Sequence, residues 1–175
     1  RDRSPSRGLG DVYKRQQNPK WLIGYSDVSV LHNTLQNLGF ASLHASMPLN
    51  FTNNSPASLT LLREALFGHS YQIKTPAHSF NHFGSTEGEI IGGNLSMLYS
   101  CLGSKSALNT AGKILFFEDL DEYLYHIDRM LQNLQRNNYF KDIKALLIGT
   151  LSDMNDNKIP FGESAEEMVN RFAKN

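Results

Sequence analysis

A single cysteine in 175 residues, Cys101, excludes an internal disulfide framework. Charge of neither sign is in excess, since seventeen Lys and Arg balance seventeen Asp and Glu, and no global basic field draws the chain to nucleic acid or to an anionic membrane. No apolar run approaches the roughly 18–20 residues that a membrane span needs. No charged-then-apolar secretion signal opens the sequence, so a reducing cytoplasm is the simplest compartment. The G-x-S-x-G elbow, the G-x-G-x-x-G turn and the Walker lysine are missing as well. What the chain does have is 40% hydrophobic against 19% charged residues, too apolar for disorder, over about the length of one domain.

Residues 1–16 (RDRSPSRGLGDVYKRQ) carry five basic against two acidic residues and no apolar period. They resemble translated adaptor sequence and are set aside as non-native, a native basic arm being the alternative. From Gln17 onward the signals alternate. Trp21–Tyr25 reads as a short strand, followed by a helix opened by Ser26 or Asp27, with Leu31, Leu35 and Leu38 on its inward face and Gly39 as its stop. Phe40 to Leu43 reads as a second strand, and Ser55-Pro56 opens a helix with Leu59, Leu62 and Leu66 as its stripe. Residues 69–86 lack a period and are expected to link a unit at 17–68 to one at 87–175.

In the second unit a strand from Gly88 to Ile91 leads through Gly92-Gly93-Asn94 into a helix carrying Leu95, Leu98, Cys101 and Leu102. A β-rich run, Lys113–Phe117, ends in Glu118-Asp119, and a helix through Ile127, Met130, Leu131 and Leu134 follows. Then come a strand from Ala145 to Ile148 and a capping box, Ser164 to Glu167, opening a last helix with Met168 and Phe172 inward. Strands alternating with helices predict an α/β architecture, and a chain that stops at its last helix is expected to be truncated there.

Acidic residues at the carboxyl end of an apolar strand sit where α/β proteins place reacting groups, because the strand is rigid and its end opens on the crevice. Glu118 and Asp119 occupy such a position, from which a carboxylate can orient a histidine and stabilise its imidazolium; capping of the next turn is the alternative. Gly92-Gly93-Asn94 before a helix has the outline of a phosphate cradle, but close backbone packing is the better use of glycines that lack the rest of the fingerprint. Asp153, Asn155 and Asn157 fit the first positions of a calcium loop that fails at Lys158 and Ser164, which leaves 152–161 a polar turn. His78 and His82 lie four apart beside Pro76 and Asn81 with no third ligand, so a solvated loop is expected rather than zinc. Neither metal nor cofactor is expected. Cys101, on an apolar helix face without a basic neighbour, reads as core and not nucleophile. His32 reads as a packed or surface residue, and His44, at a strand end, as a crevice residue or a satisfied loop histidine.

Six strings in order are spread over essentially all of residues 17–175: Asn18–His32 (NPKWLIGYSDVSVLH), His44–Pro48 (HASMP), Glu87–Leu98 (EGEIIGGNLSML), Lys113–Asp119 (KILFFED), Tyr125–Leu131 (YHIDRML) and Ala145–Asp153 (ALLIGTLSD). Together they resemble the LD-carboxypeptidase family, serine peptidases that include muramoyltetrapeptide carboxypeptidases and microcin-immunity peptidases. The resemblance implies a Rossmann-like N-terminal domain bearing the nucleophilic serine and a smaller C-terminal α/β domain giving a glutamate and a histidine. It implies a reaction in which the histidine takes the serine proton, the alkoxide attacks the carbonyl between an L- and a D-residue, and water hydrolyses the acyl-enzyme without a metal. The family's glutamate matches Glu118, as the histidine-orienting residue.

The serine and histidine strings have no match in this sequence. The family's serine turn precedes the NPK string, where Ser4 and Ser6 lack the motif; its Gly-His string lies beyond the last helix, and His126 is not a substitute base. Ala45-Ser46 stands where many relatives read Gly-Pro. The expectation is therefore an internal fragment of a cytoplasmic enzyme that releases terminal D-alanine from murein tetrapeptides, inactive as written and homodimeric when full length. Ser26, Asp27 and Asn94 are expected to line the substrate crevice, each sitting where a strand or loop yields to a helix. An immunity-type peptidase cutting a peptide–nucleotide conjugate and a catalytically dead binding module on the same scaffold are the alternatives.

Overall fold

The structure is a computed structural model and describes residues 17–173, so the segment 1–16, with Ser4 and Ser6, lies outside the described residues. Its first part holds two very short parallel strands, β1 (Ile23–Gly24) and β2 (Leu43–His44), joined through α1 (Ser29–Asn37), and is followed by α2 (Pro56–Leu66). The second part is a three-stranded parallel sheet in the order β3-β4-β5, made of β3 (Ile90–Asn94), β4 (Ile114–Leu120) and β5 (Ala145–Ser152). Parallel neighbours cannot be joined by tight turns. The chain accordingly crosses through α3 (Leu95–Ser100) between the first two of these strands, through α4 (Leu124–Arg136) between the next two, and closes with α5 (Ala165–Ala173). This is the α/β architecture the alternating signals predict. Residues 69–86 form neither helix nor strand.

The core follows from two periods. On β4 alternate residues Leu115 and Phe117 point to one face and are fully buried; on α4 Ile127, Met130, Leu131 and Leu134 recur at helical spacing and are fully buried against them. Met168 and Phe172 of α5 and Leu95 and Leu98 of α3 complete the layer. Each such side chain contributes about 1.5–3 kcal/mol on leaving water. The capping box forms as expected: Ser164 Oγ accepts from the Glu167 amide at 3.2 Å, and Glu167 Oε2 accepts from the Ser164 amide at 2.8 Å. Ser55 likewise caps α2 by accepting from the Ser58 amide. Cys101 is buried, and burial pushes its thiol up, as befits a core residue.

Several boundaries differ from those predicted. β3 runs through Gly92 and Gly93 instead of ending at Ile91, because the glycines are what let it lie against β4: a Cβ on Gly92 would sit 1.8 Å from the Phe116 carbonyl oxygen. β4 continues through Glu118 and Asp119 to Leu120, and β5 through Ser152, since pairing with a neighbouring strand overrides the polar residues at their ends. The second strand is Leu43–His44, leaving Phe40 exposed. On α2 only Leu62 of the expected stripe is buried.

The largest departure is α1. Leu31 and Leu38, expected inward, are 53% and 66% exposed, while Ser29, His32 and Asn33 are buried. Hydrogen bonds set the rotation of this helix. Ser29 Oγ accepts from the Asn94 amide, Gln36 donates to Glu89, and Asn37 donates to the carbonyls of Lys105 and Ala107. The helix begins after a 3-10 turn over Ser26–Val28, and neither Ser26 nor Asp27 caps it through a side chain. Among the described residues no helix is long and apolar enough to cross a membrane.

Candidate functional site

β3 and β4 end side by side, with Asn94 in register with Glu118. The pleat of β4 sends Glu118 and Asp119 to opposite faces, and this separates their roles. Asp119, 4% exposed, turns toward the helices and is used up there. Its carboxylate accepts from Asn94 Nδ2 at 2.9 Å, the Ser96 amide at 2.9 Å, Ser96 Oγ at 2.7 Å and the Leu120 amide at 2.9 Å. A negative charge against the first turn of a helix is favourable, and here it ties β4 to α3. Asn94 is held in the same network, its Oδ1 accepting from the Met97 amide at 3.2 Å as the cap of α3.

Glu118 faces the other way, alongside Phe116. It lies where the register between β4 and β5 shifts, and the chain opposite is Gly149, whose added Cβ would stand 2.8 Å from Glu118 Cβ. Its Oε1 is buried 3.5 Å from His44 Nε2, delivered by β2. The His44 ring meets Phe116 edge-on at 5.2 Å and stands 6.0 Å from the His32 ring. His32 is locked: Nε2 lies 3.0 Å from the Gly24 carbonyl oxygen, which can only accept, so Nε2 carries the proton and Nδ1 accepts from Ser42 Oγ at 2.7 Å. Burial pushes this imidazole below its ordinary value, with His44 acting in the same direction.

Ser26, Asp27, Asn94 and Glu118 line one cavity of about 290 Å³, together with Tyr25, Ser96 and Glu122. Ser26 holds a φ of 57°, in the left-handed region that a serine rarely adopts, and strain of this kind concentrates at working sites. Tyr25 is anchored by donating from its hydroxyl to Asn50 Oδ1 at 2.9 Å. Glu122 Oε1 lies 3.0 Å from Ser96 Oγ, whose one proton goes to the nearer Asp119, and Glu122 Oε2 pairs with His126 Nδ1 at 2.7 Å, so His126 is engaged away from Glu118. Glu122 and His126 stand four apart on the sequence, a spacing that could have revealed their pairing; nothing local announces that His44 meets Glu118. A second concavity, between Leu108–Ala111 and Asn137–Asp142, opens at the amino ends of the strands and holds no such convergence. Among the described residues no three His, Cys, Asp or Glu side chains are grouped to hold a metal ion. The arrangement offers Glu118, a carboxylate with a single long contact, at a rigid strand end beside a cavity that further acids line.

Residues 87–175 match the sequence profile of the LD-carboxypeptidase C-terminal domain, and residues 9–45 that of the LD-carboxypeptidase N-terminal domain. The murein tetrapeptide carboxypeptidase of Pseudomonas aeruginosa is 30% identical over 147 residues, covering 78% of this chain and 48% of that protein. The crystal structure of muramoyltetrapeptide carboxypeptidase from Oxalobacter formigenes superposes with a TM-score of 0.81 at 27% identity, over 99% of this chain and 61% of that one. The microcin C7 self-immunity protein of Escherichia coli is 36% identical over 74 residues, 41% of this chain and 21% of that protein. The chain spans somewhat less than half the length of the curated carboxypeptidases it matches.

Proposed function

Because the chain belongs to the LD-carboxypeptidase family, we propose that it is part of a cytoplasmic serine carboxypeptidase that hydrolyses the L,D-peptide bond of murein tetrapeptides and releases the terminal D-alanine. The observation that carries this reading is the opposite fate of two adjacent acids: Asp119 is spent on four hydrogen bonds, while Glu118 is held at the cavity with no hydrogen bond among the described residues. Glu118 is the acid member of the triad. It orients a histidine and stabilises the imidazolium that forms when that histidine takes the serine proton; the alkoxide attacks the carbonyl, and water then releases the acyl group. Ser26, Asp27 and Asn94 line the side of the cavity that receives the peptide.

Residues 17–68 belong in this reading to the nucleophile domain and 87–175 to the smaller domain, with 69–86 as the linker, and the complete protein is a homodimer. The serine and histidine belong to strings that these 175 residues do not carry, so this chain by itself turns over no substrate.

The test is D-alanine release from a murein tetrapeptide by the complete gene product, read by a coupled D-amino acid oxidase. Glu118→Gln is expected to lower kcat by roughly 10³–10⁴-fold with KM little changed, the scale on which an acid that orients a catalytic histidine acts. A Glu118→Gln protein with wild-type kcat overturns the assignment. The likeness to the microcin C7 self-immunity protein favours a second reading, a peptidase acting on a peptide–nucleotide conjugate. Cleavage of such a conjugate but not of the tetrapeptide selects it, and a folded protein inert toward both is a binding module.

A further inference from the structure

We propose that His44 is a positioning residue that fixes the triad carboxylate from the neighbouring layer of the fold; the inference rests on the carboxypeptidase reading of Glu118. A carboxylate that must hold a histidine in one orientation through one oxygen has to be prevented from rotating, and the second oxygen is where a fixing group can act. Among the described residues the one side chain paired with Glu118 is His44, whose Nε2 stands 3.5 Å from Oε1. That oxygen is buried, and so is the opposite ring nitrogen of His44, Nδ1, which has no hydrogen-bond partner. A buried nitrogen without an acceptor nearby is better left as a lone pair than as an N–H, which places the proton of a neutral His44 on Nε2, on the side of the ring that is 3.5 Å from the carboxylate.

His44 is built to stay where it is. Its backbone is clamped on both sides, since the Leu43 amide donates to the Leu22 carbonyl and the Ala45 amide to the Gly24 carbonyl. Its ring is wedged edge-on against Phe116, the residue that shares the outward face of β4 with Glu118. Behind it stands His32, anchored to Gly24 and Ser42, its imidazole pushed below the ordinary value by burial, so His44 lies between this ring and the carboxylate of Glu118. Glycine at position 93 leaves room for this layer: an added Cβ would lie 2.5 Å from Ser29 Oγ and 3.7 Å from His44 Nδ1. The two halves of the chain thus meet at the carboxylate, and the acid is oriented by a residue 74 positions earlier (118 − 44).

The experiment compares two amides in the complete gene product. His44→Gln carries an amide nitrogen near the place of Nε2, within reach of Glu118, whereas His44→Asn carries it near the place of Nδ1, out of reach. D-Alanine release from murein tetrapeptide is expected to fall roughly 10–100-fold in kcat with KM nearly constant for His44→Asn, and to stay within about threefold of wild type for His44→Gln. In a Glu118→Gln background His44→Asn is expected to add no further loss, because the pair acts as one unit. Thermal unfolding of both variants guards against a folding defect, and His44→Leu replaces His44→Asn if the latter is unfolded. Full kcat in His44→Asn, equal damage in both amides, or an undiminished effect in the Glu118→Gln background overturns the role of His44. A Glu118→Gln enzyme that keeps its activity instead overturns the carboxypeptidase reading on which it rests.

Discussion

Asp119→Ala is the substitution whose cost can be worked most directly from the structure. The carboxylate is 4% exposed and accepts four hydrogen bonds between 2.7 and 2.9 Å. Hydrogen bonds to a charged group are each worth about 1.5–3 kcal/mol, but the sum is not lost. Ser96 and Leu120 are half-buried or exposed, so their donors are rehydrated once the acid is gone, whereas Asn94 Nδ2 is buried and stays unpaired. Loss of the anion beside the first turn of α3 adds roughly 0.3–1 kcal/mol. The expected destabilisation is about 1.5–4 kcal/mol for alanine and about 2 kcal/mol for Asp119→Asn, which keeps the shape but presents an NH₂ to donors. Urea unfolding should report this as a lower midpoint at constant slope. An Asp119→Ala protein that loses less than about 1 kcal/mol would refute the reasoning, since the four bonds would then be no better than those to water. Glu118→Gln makes the contrast, because among the described residues the pairing it disturbs is the 3.5 Å contact with His44, and its effect is expected in kcat rather than in stability.

The other expectations are simpler. Phe117→Ala empties the centre of the sheet–helix layer, where Phe117 is fully buried, and should cost about 3–5 kcal/mol in the same unfolding assay. Gly149→Ala forces a methyl to within 2.8 Å of Glu118 Cβ and 3.5 Å of the Phe117 carbonyl; kcat should fall together with about 1–3 kcal/mol of stability, and an unchanged kcat would show that Glu118 tolerates displacement. His32 has its native value pushed below the ordinary 6.5 by burial, so the unfolded chain binds more protons than the native one in that interval. Stability is then full above about 6.5 and declines as pH falls toward the lowered native value, and melting temperatures measured across pH 5–8 should lose that slope in His32→Gln.

Where a residue's fate depended on its near neighbours along the chain, it was legible. The helical spacing of Ile127, Met130, Leu131 and Leu134, the Ser164–Glu167 capping box and the apolar surroundings of Cys101 each describe a local pattern with one good solution, and the structure adopts it. The acids at the strand end were legible as a pair and no further. Which of them turns inward is set by the phase of the pleat relative to the helices, and only the packing of β4 between β3 and β5 fixes that phase. The α1 stripe differs for a related reason: Leu31, Leu35 and Leu38 are good inward residues in isolation, but Ser29 and Asn37 find hydrogen-bond partners 65 to 70 residues further along the chain and His32 finds Gly24 and Ser42 on either side of the helix, and those bonds turn it.

The sequence alone determined the class of the fold, the position of its main helices and the family resemblance, because these rest on periodicity and on strings of adjacent residues. Only the tertiary structure decided that Ser26, Asp27, Asn94 and Glu118 share a cavity and that His44 meets the carboxylate, because these contacts close loops of tens of residues and leave no periodic trace along the chain.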